Sequence, residues 1–355
     1  MPPEHVKKRK KIHLTGSKTI LAVGVTLMFL MLISAVVLGS VNISPLMIGR
    51  IVGTVFGLSD EGVDPAERVV ILLIRLPRVV TALLAGSGLA VSGTIMQGIF
   101  RNPLAEPGIL GVSAGSSLGA LVAISAGTTA FFVLPVFAFV GAMLAVGIIL
   151  AITFSSGGRV KTASLVMSGM AVSSFFGAVT SLTLTLSHQY QVATYIFWTM
   201  GGLANRRWEH VVAILPPVLL TILIILIRAR DLDILLLGDE EARALGVAPT
   251  ATRFVMVVLA SVCTASVVSI TGPIGFVGLI VPHIMRLLVG PAHRTLTLAS
   301  LFGGAVFLMG CDLVTRLVAL PSGMEISVGV VTALVGAPYF LSLLFRSARK
   351  GDMLS

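Results

Sequence analysis

Four long stretches of this chain, 79–100, 107–158, 162–205 and 254–285, contain no Asp, Glu, Lys or Arg. A bilayer core about 30 Å thick takes about 20 apolar residues per helical crossing, so the longer stretches hold two crossings each. Buried helices of soluble proteins are shorter and rarely so numerous in one chain. Composition agrees: 56% of the 355 residues are hydrophobic and 11% charged, with a mean hydropathy of +1.03, against roughly one-quarter charged residues in a soluble domain. The expected fold is an all-α polytopic membrane protein.

Ten crossings fit the pattern, at about 18–39, 79–100, 109–127, 134–156, 163–186, 209–228, 254–272, 274–290, 298–318 and 326–345. A basic N-terminal segment, 1–17, then precedes a membrane domain, 18–345, and a short tail, 346–355, follows it. The apolar run from Ile20 to Leu38, behind Lys7–Lys11, is longer than the core of a secretory signal of about 7 to 15 residues and reads as a retained first helix.

With the N-terminus inside, 18 of the Lys and Arg residues fall on inside connections and 7 on outside ones: Arg50, Arg68, Arg75, Arg78, Arg206, Arg207 and Arg316. The asymmetry follows the positive-inside rule and puts both termini in the cytoplasm, as a multi-pass protein of the cytoplasmic (inner) membrane. The formal charge of +10 therefore reflects orientation and does not imply nucleic-acid binding. Cys263 and Cys311 lie in apolar segments without His or Cys at ligand spacing and read as packing residues, with no metal site.

Gly111, Gly115 and Gly119 form successive G-x-x-x-G steps suited to close helix packing. Two stretches look loosely duplicated: the helix leading into Arg101-Asn102-Pro103 before a Gly-rich helix, and Pro282–Arg286 before the helix with Gly303 and Gly304. Duplication of this kind is common in transporters.

The charge-free runs hold no carboxylate pair or His chain of the kind that ion-coupled carriers place at the midplane, so the energy source is expected outside this chain. His283 follows Pro282 and fits local backbone satisfaction. Asp312, four residues before Arg316, can pair with it on one helix face; Glu325 can serve similarly or cap the last helix. No G-x-x-x-x-G-K-[ST] phosphate loop is present. A membrane enzyme would need a clustered His, Asp or Cys constellation, which the sequence does not offer.

The inside connection from Gly238 to Val247 predicts a short helix, with Asp239 as cap, Glu240 and Glu241 in the first turn and Gly246 as terminator. A solvated surface helix and a rigid knob for a cytoplasmic partner both fit it. Arg75, Arg78 and Arg316 at outer helix ends fit either docking to an acidic soluble partner or interfacial snorkelling.

Arg75-Leu-Pro-Arg78, Ser92-Gly93 through Met96-Gln97, Asn102-Pro-Leu-Ala-Glu-Pro-Gly108, Gly238 to Gly246, Gly275 to Pro282-His283 and Ser327 to Pro338 resemble the permeases of type II ABC importers for iron-siderophores, haem and cobalamin. The resemblance covers about 75–338. It implies ten helices per subunit and a second permease subunit, as a homodimer, around a central pathway. It also implies two cytoplasmic ATPase subunits, which would hold ATP and Mg, and an extracytoplasmic substrate-binding protein. This chain is then no enzyme and carries no cofactor.

By the same resemblance Asp239, Glu240, Glu241, Arg243, Leu245 and Gly246 are the ATPase-coupling residues, and Arg75, Arg78 and Arg316 dock the binding protein. The fifth crossing and the segment His188 to Trp198 resemble the pathway lining, with Met167, Met170 and Ser174 as its candidates; methionines at helical spacing also suit plain packing. The cargo implied is an iron chelate, siderophore or haem, with cobalamin as the alternative. An ion-coupled secondary carrier is the reading from another class.

Overall fold

A computed structural model describes residues 14–39, 41, 43–55, 57, 62–127, 131–155, 162–318 and 325–350. Lys7–Lys11, Arg159, Lys161 and 351–355 lie outside them. The helices in chain order are α1 (Leu14–Val37), α2 (Pro45–Val55), α3 (Pro65–Val69), α4 (Leu76–Phe100), α5 (Val112–Ser125), α6 (Val133–Ser155) and α7 (Thr162–Thr185). They continue with α8 (Gln189–Thr199), α9 (Trp208–Leu235), α10 (Asp239–Ala244), α11 (Pro249–Thr271), α12 (Val277–Val289), α13 (His293–Leu317) and α14 (Val328–Lys350). No strand occurs among the described residues.

The ten expected crossings correspond to α1, α4, α5, α6, α7, α9, α11, α12, α13 and α14. Among the described residues seven helical stretches are long and apolar enough to cross a membrane, and Pro45–Val55, Val112–Ser125, Val277–Val289 and Val328–Leu343 are shorter apolar helices. At 1.5 Å per residue, α5 and α12 reach only about 20 Å. Each is preceded by non-α-helical backbone rich in Gly and Pro, 101–111, which includes a 3-10 turn at Pro107–Leu110, and 272–276. Such backbone is tolerated at membrane depth where protein surrounds it.

Helix α4 is the centre of the bundle. Apart from Val80 and Leu83, every residue from Pro77 to Phe100 is buried, and α9, α11, α12 and α13 pack around it. A helix buried all round needs small residues where neighbours cross closely. A Cβ on Gly86 would collide with the backbone carbonyl of Gly304 in α13, and one on Gly304 with that of Gly86. Gly115 in α5 faces the Gly141 carbonyl of α6, and Gly119 faces the Phe137 carbonyl. Gly111 differs from both. At φ 68° it is the left-handed turn that starts α5, so the G-x-x-x-G pattern loses its first member to the helix cap.

The outer surface is apolar where lipid would lie. Val23, Leu27 and Leu30 on α1, Val136, Val140 and Leu144 on α6, and Leu219, Leu223 and Ile227 on α9 are all exposed. Helix α2 lies between the first two crossings, with Pro45 at its start and Ile48 and Ile51 turned inward. Both cysteines are buried and free.

Candidate functional site

Two polar clusters sit at opposite ends of α4, separated by its 25 residues, or about 37 Å.

The first surrounds the start of α4. Residues Val70–Arg75 form a π-helical turn leading directly into α4. Pro77 has no N–H to give back to this turn, and Trp208 Nε1 donates to the Leu72 carbonyl at 2.8 Å. The widened turn aims Arg75 at the end of α1. Its guanidinium donates to the carbonyls of Val36 (3.0 Å) and Val37 (3.1 Å), and to that of Val41. Arg316 reaches the same helix end, donating to the Ala35 carbonyl at 2.8 Å and the Leu38 carbonyl at 3.2 Å. Two cations thus meet the negative end of the α1 dipole and satisfy its last carbonyls.

Asp312 joins them to Arg78. Its Oδ1 is 2.9 Å from Arg78 Nε and its Oδ2 is 3.1 Å from Arg316 Nε, with the Asp312 side chain 1% exposed. Arg78 also pairs with Glu325 at 2.7 Å, and Glu325 is 39% exposed. The i,i+4 pairing expected of Asp312 and Arg316 is present, and Glu325 makes its ion pair with Arg78. Arg75, Arg78 and Arg316 are brought together, each bonded within the chain, with Glu325 as the exposed member.

The second cluster holds α10. Gly238, at φ 142°, is the N-cap, a backbone that favours glycine. Asp239 is therefore the first helical residue and not the expected cap, because Gly238 already makes the turn. Gly246, at φ 81°, ends the helix as anticipated. Its N–H donates to the Arg243 carbonyl and that of Val247 to the Ala242 carbonyl, the paired bonds of a Schellman motif. Ala242 and Val247 are buried, while Leu237, Glu240, Glu241, Arg243, Leu245 and Gly246 are exposed. The result is a small knob with a charged flank and two apolar tips.

The Asp239 carboxylate fastens this knob. Arg253 of α11 donates Nη1 to Oδ2 at 2.8 Å and Nη2 to Oδ1 at 2.6 Å. Arg101, at the end of α4, donates Nη2 to the Leu235 carbonyl at 2.6 Å and to Asp239 Oδ1 at 3.1 Å. Nearby, Asp233 Oδ1 accepts from the His293 backbone N–H at 2.9 Å and lies 2.6 Å from His293 Nδ1, tying the start of α13 to the same corner. Arg101, Arg253 and Leu237 carry no role in the sequence reading. Leu237 had a local signal, an apolar residue beside the Gly238 turn, but Arg101 lies 138 positions from Asp239.

The hydrogen bonds from Arg253, aided by the charges of Arg253 and Arg101, hold the Asp239 carboxyl below the usual carboxylate range. A folded pKa below the unfolded one gives stability that is present above the ordinary value of about 3.9 and lost as pH falls through the folded value. A fluorophore on Leu245→Cys is expected to show constant mobility from neutral pH to about 5 and a rise only below about 4. With Asp239→Asn the mobility should be raised at every pH. A rise between pH 7 and about 5 in the parent would contradict the clasp.

Met167 and Met170 on α7 are 72% and 65% exposed, and Ser174 is exposed on the same face. Tyr190 and Phe197 of α8 are exposed as well. The face is neutral, made of thioether, hydroxyl and aromatic groups.

The profile of the FecCD transport family matches residues 26–346. The cobalamin import system permease of Halobacterium salinarum is 43% identical, covering 80% of this chain and 75% of that relative. The hemin transport system permease of Yersinia pestis is 38% identical, covering 78% of this chain and 83% of its own length. An inward-facing solved structure described as a metal-chelate type ABC transporter superposes with a TM-score of 0.80 at 33% identity, covering 93% of this chain and 99% of that one. With a family profile over most of its length, a shared helical fold and a multi-pass architecture that works as part of a complex, this chain belongs to the FecCD transport family as an ABC transporter permease.

Proposed function

We propose that the chain is the permease subunit of an ATP-driven importer carrying an iron chelate, siderophore or haem, across the cytoplasmic membrane. The observation that carries the coupling is α10, a knob with exposed Leu237, Glu240, Glu241 and Leu245, clasped through Asp239 to α4 and α11. A rigid projection so fastened suits a seat on a separate cytoplasmic ATPase, which holds ATP and Mg; the chain itself performs no hydrolysis and needs no cofactor. Both termini, 1–17 and 346–355, lie on that side.

Two copies of the chain in a lipid bilayer enclose the pathway, with Met167, Met170 and Ser174 along it. Such a face suits a ligand that keeps its metal inside an organic shell, since thioether and aromatic surfaces adapt to bulky ligands without binding them tightly. At the other end, three arginines against Asp312 and Glu325 leave one positive charge in surplus. Acidic groups of an extracytoplasmic binding protein complement that charge, entering where Glu325 is exposed.

Cobalamin is the second reading, favoured by the 43% identity to the cobalamin permease.

Proteoliposomes containing the chain, its ATPase and its binding protein should take up one of three radiolabelled ligands, a ferric siderophore, haem or cobalamin, only with ATP inside. Glu241→Arg is expected to lower uptake about tenfold by opposing charge at the seat. Uptake that persists without ATP would overturn the reading in favour of an ion-coupled carrier.

A further inference from the structure

Arg101 stands where a glycine would be easier. It is the C-cap of α4 with φ 49° and ψ 32°, the left-handed region that non-glycine residues rarely enter. Its side chain closes the corner between α9 and α10, bonding the last α9 carbonyl, that of Leu235, and the Asp239 carboxylate at once. The Arg253 contact differs in kind. It is a two-bond fork from a side chain 8% exposed, the geometry of a fixed ion pair. Arg101 is 40% exposed and shares Asp239 Oδ1 as the longer partner, so it can lengthen or shorten without releasing α10.

Beyond Arg101 the chain runs without a break into 102–110 and the start of α5. This segment touches α7 directly: a Cβ on Gly169 would collide with the Ile109 carbonyl, and Gly169 lies between Met167 and Met170. A continuous contact therefore runs from α10 through Arg101 and Ile109 to the buried side of α7 at Gly169, behind the exposed Met167 and Met170.

We propose that Arg253 and Arg101 divide the coupling between them: Arg253 fixes α10 on α11, and Arg101 passes its displacement into α4 and through the 102–110 segment to α7. Both are positioning residues that touch neither ATP nor cargo. The proposal rests on reading α10 as the ATPase seat.

The test uses the assembled transporter in proteoliposomes, with ATP hydrolysis and uptake measured on the same sample for whichever of the three ligands the parent imports. Arg101→Gln is expected to co-purify with the ATPase and to keep hydrolysing ATP while importing about tenfold less ligand per ATP, a fold-change within the range of allosteric couplings. Arg101→Lys, which keeps the cation but has a single donor head, should recover part of that ratio. Arg253→Lys should instead loosen α10 and reduce recovery of the ATPase with the chain.

An unchanged import per ATP in Arg101→Gln would overturn the proposal. So would loss of the ATPase from that variant, because Arg101 would then belong to the seat. Uptake by the parent without ATP would remove the coupling reading and this proposal with it, an outcome no Arg101 variant can produce.

Discussion

Asp312→Ala is expected to be the most damaging single substitution among the polar residues of this chain. It removes the carboxylate that lies between the Arg78 and Arg316 guanidiniums, in a site where Asp312 is 1% exposed. Arg78 keeps Glu325, but Arg316 keeps only carbonyl partners at the end of α1. Breaking a buried pair by removing one partner typically costs about 3–5 kcal/mol, because the remaining charge stays buried. That is a large share of a stability of about 5–15 kcal/mol.

The measurement is the fraction of detergent-solubilised protein that stays monodisperse after graded heating, with a lower midpoint and poorer recovery expected for Asp312→Ala. Asp312→Leu combined with Arg316→Met removes the carboxylate together with a cation and should lose less than the alanine variant. If the single variant matched the parent, the cluster would contribute nothing to folding.

The second large effect is expected at the crossing of α4 and α13. A Cβ on Gly304 would meet the Gly86 carbonyl, and the Ala90 side chain stands nearby. Backbone atoms of a central helix cannot rotate away, so Gly304→Ala must push the two helices apart. Overpacking costs about 1–3 kcal/mol where side chains can adjust, and here the obstacle is main chain, which puts Gly304→Val at or above that range. Gly147 of α6 meets nothing within 4 Å, so Gly147→Ala is the control. It should be neutral or stabilise by up to about 1 kcal/mol through helix propensity. Equal midpoints for the two alanine variants would mean that α4 and α13 are not in the contact described.

These residues show what a sequence can display. Asp312 and Arg316 are four apart on one helix, so their pairing is local geometry. Arg78 pairs with the same carboxylate across 234 positions, and no periodicity links them. The end of α10 was legible because Gly246 marks backbone that glycine favours, whereas the sequence places its start one residue late, at Asp239 instead of the Gly238 turn. The clasp made by Asp239 was not legible, since its partners come from α4 and α11.

The ten segments expected to cross follow from apolar length, yet α5 and α12 are shorter than a crossing and each follows non-α-helical backbone rich in Pro and Gly. Gly111 shows the limit of spacing alone: it continues the pattern of Gly115 and Gly119 but sits outside the helix. Helix α2 lay in a connection between crossings, though Pro45 at its first position was a usable start signal.

The separation of Arg78 from Asp312 also bears on how the chain is made. At about 5–20 residues per second, the ribosome reaches Asp312 roughly 12–47 s after Arg78. During that interval Arg78 stands at the head of α4 without its carboxylate, whereas the α1 carbonyls that hold Arg75 have already been synthesised. Arg75 can therefore anchor the first hairpin during insertion. The Arg78–Asp312–Arg316 link closes only once the ninth crossing enters, which makes it a late seal on the order of assembly.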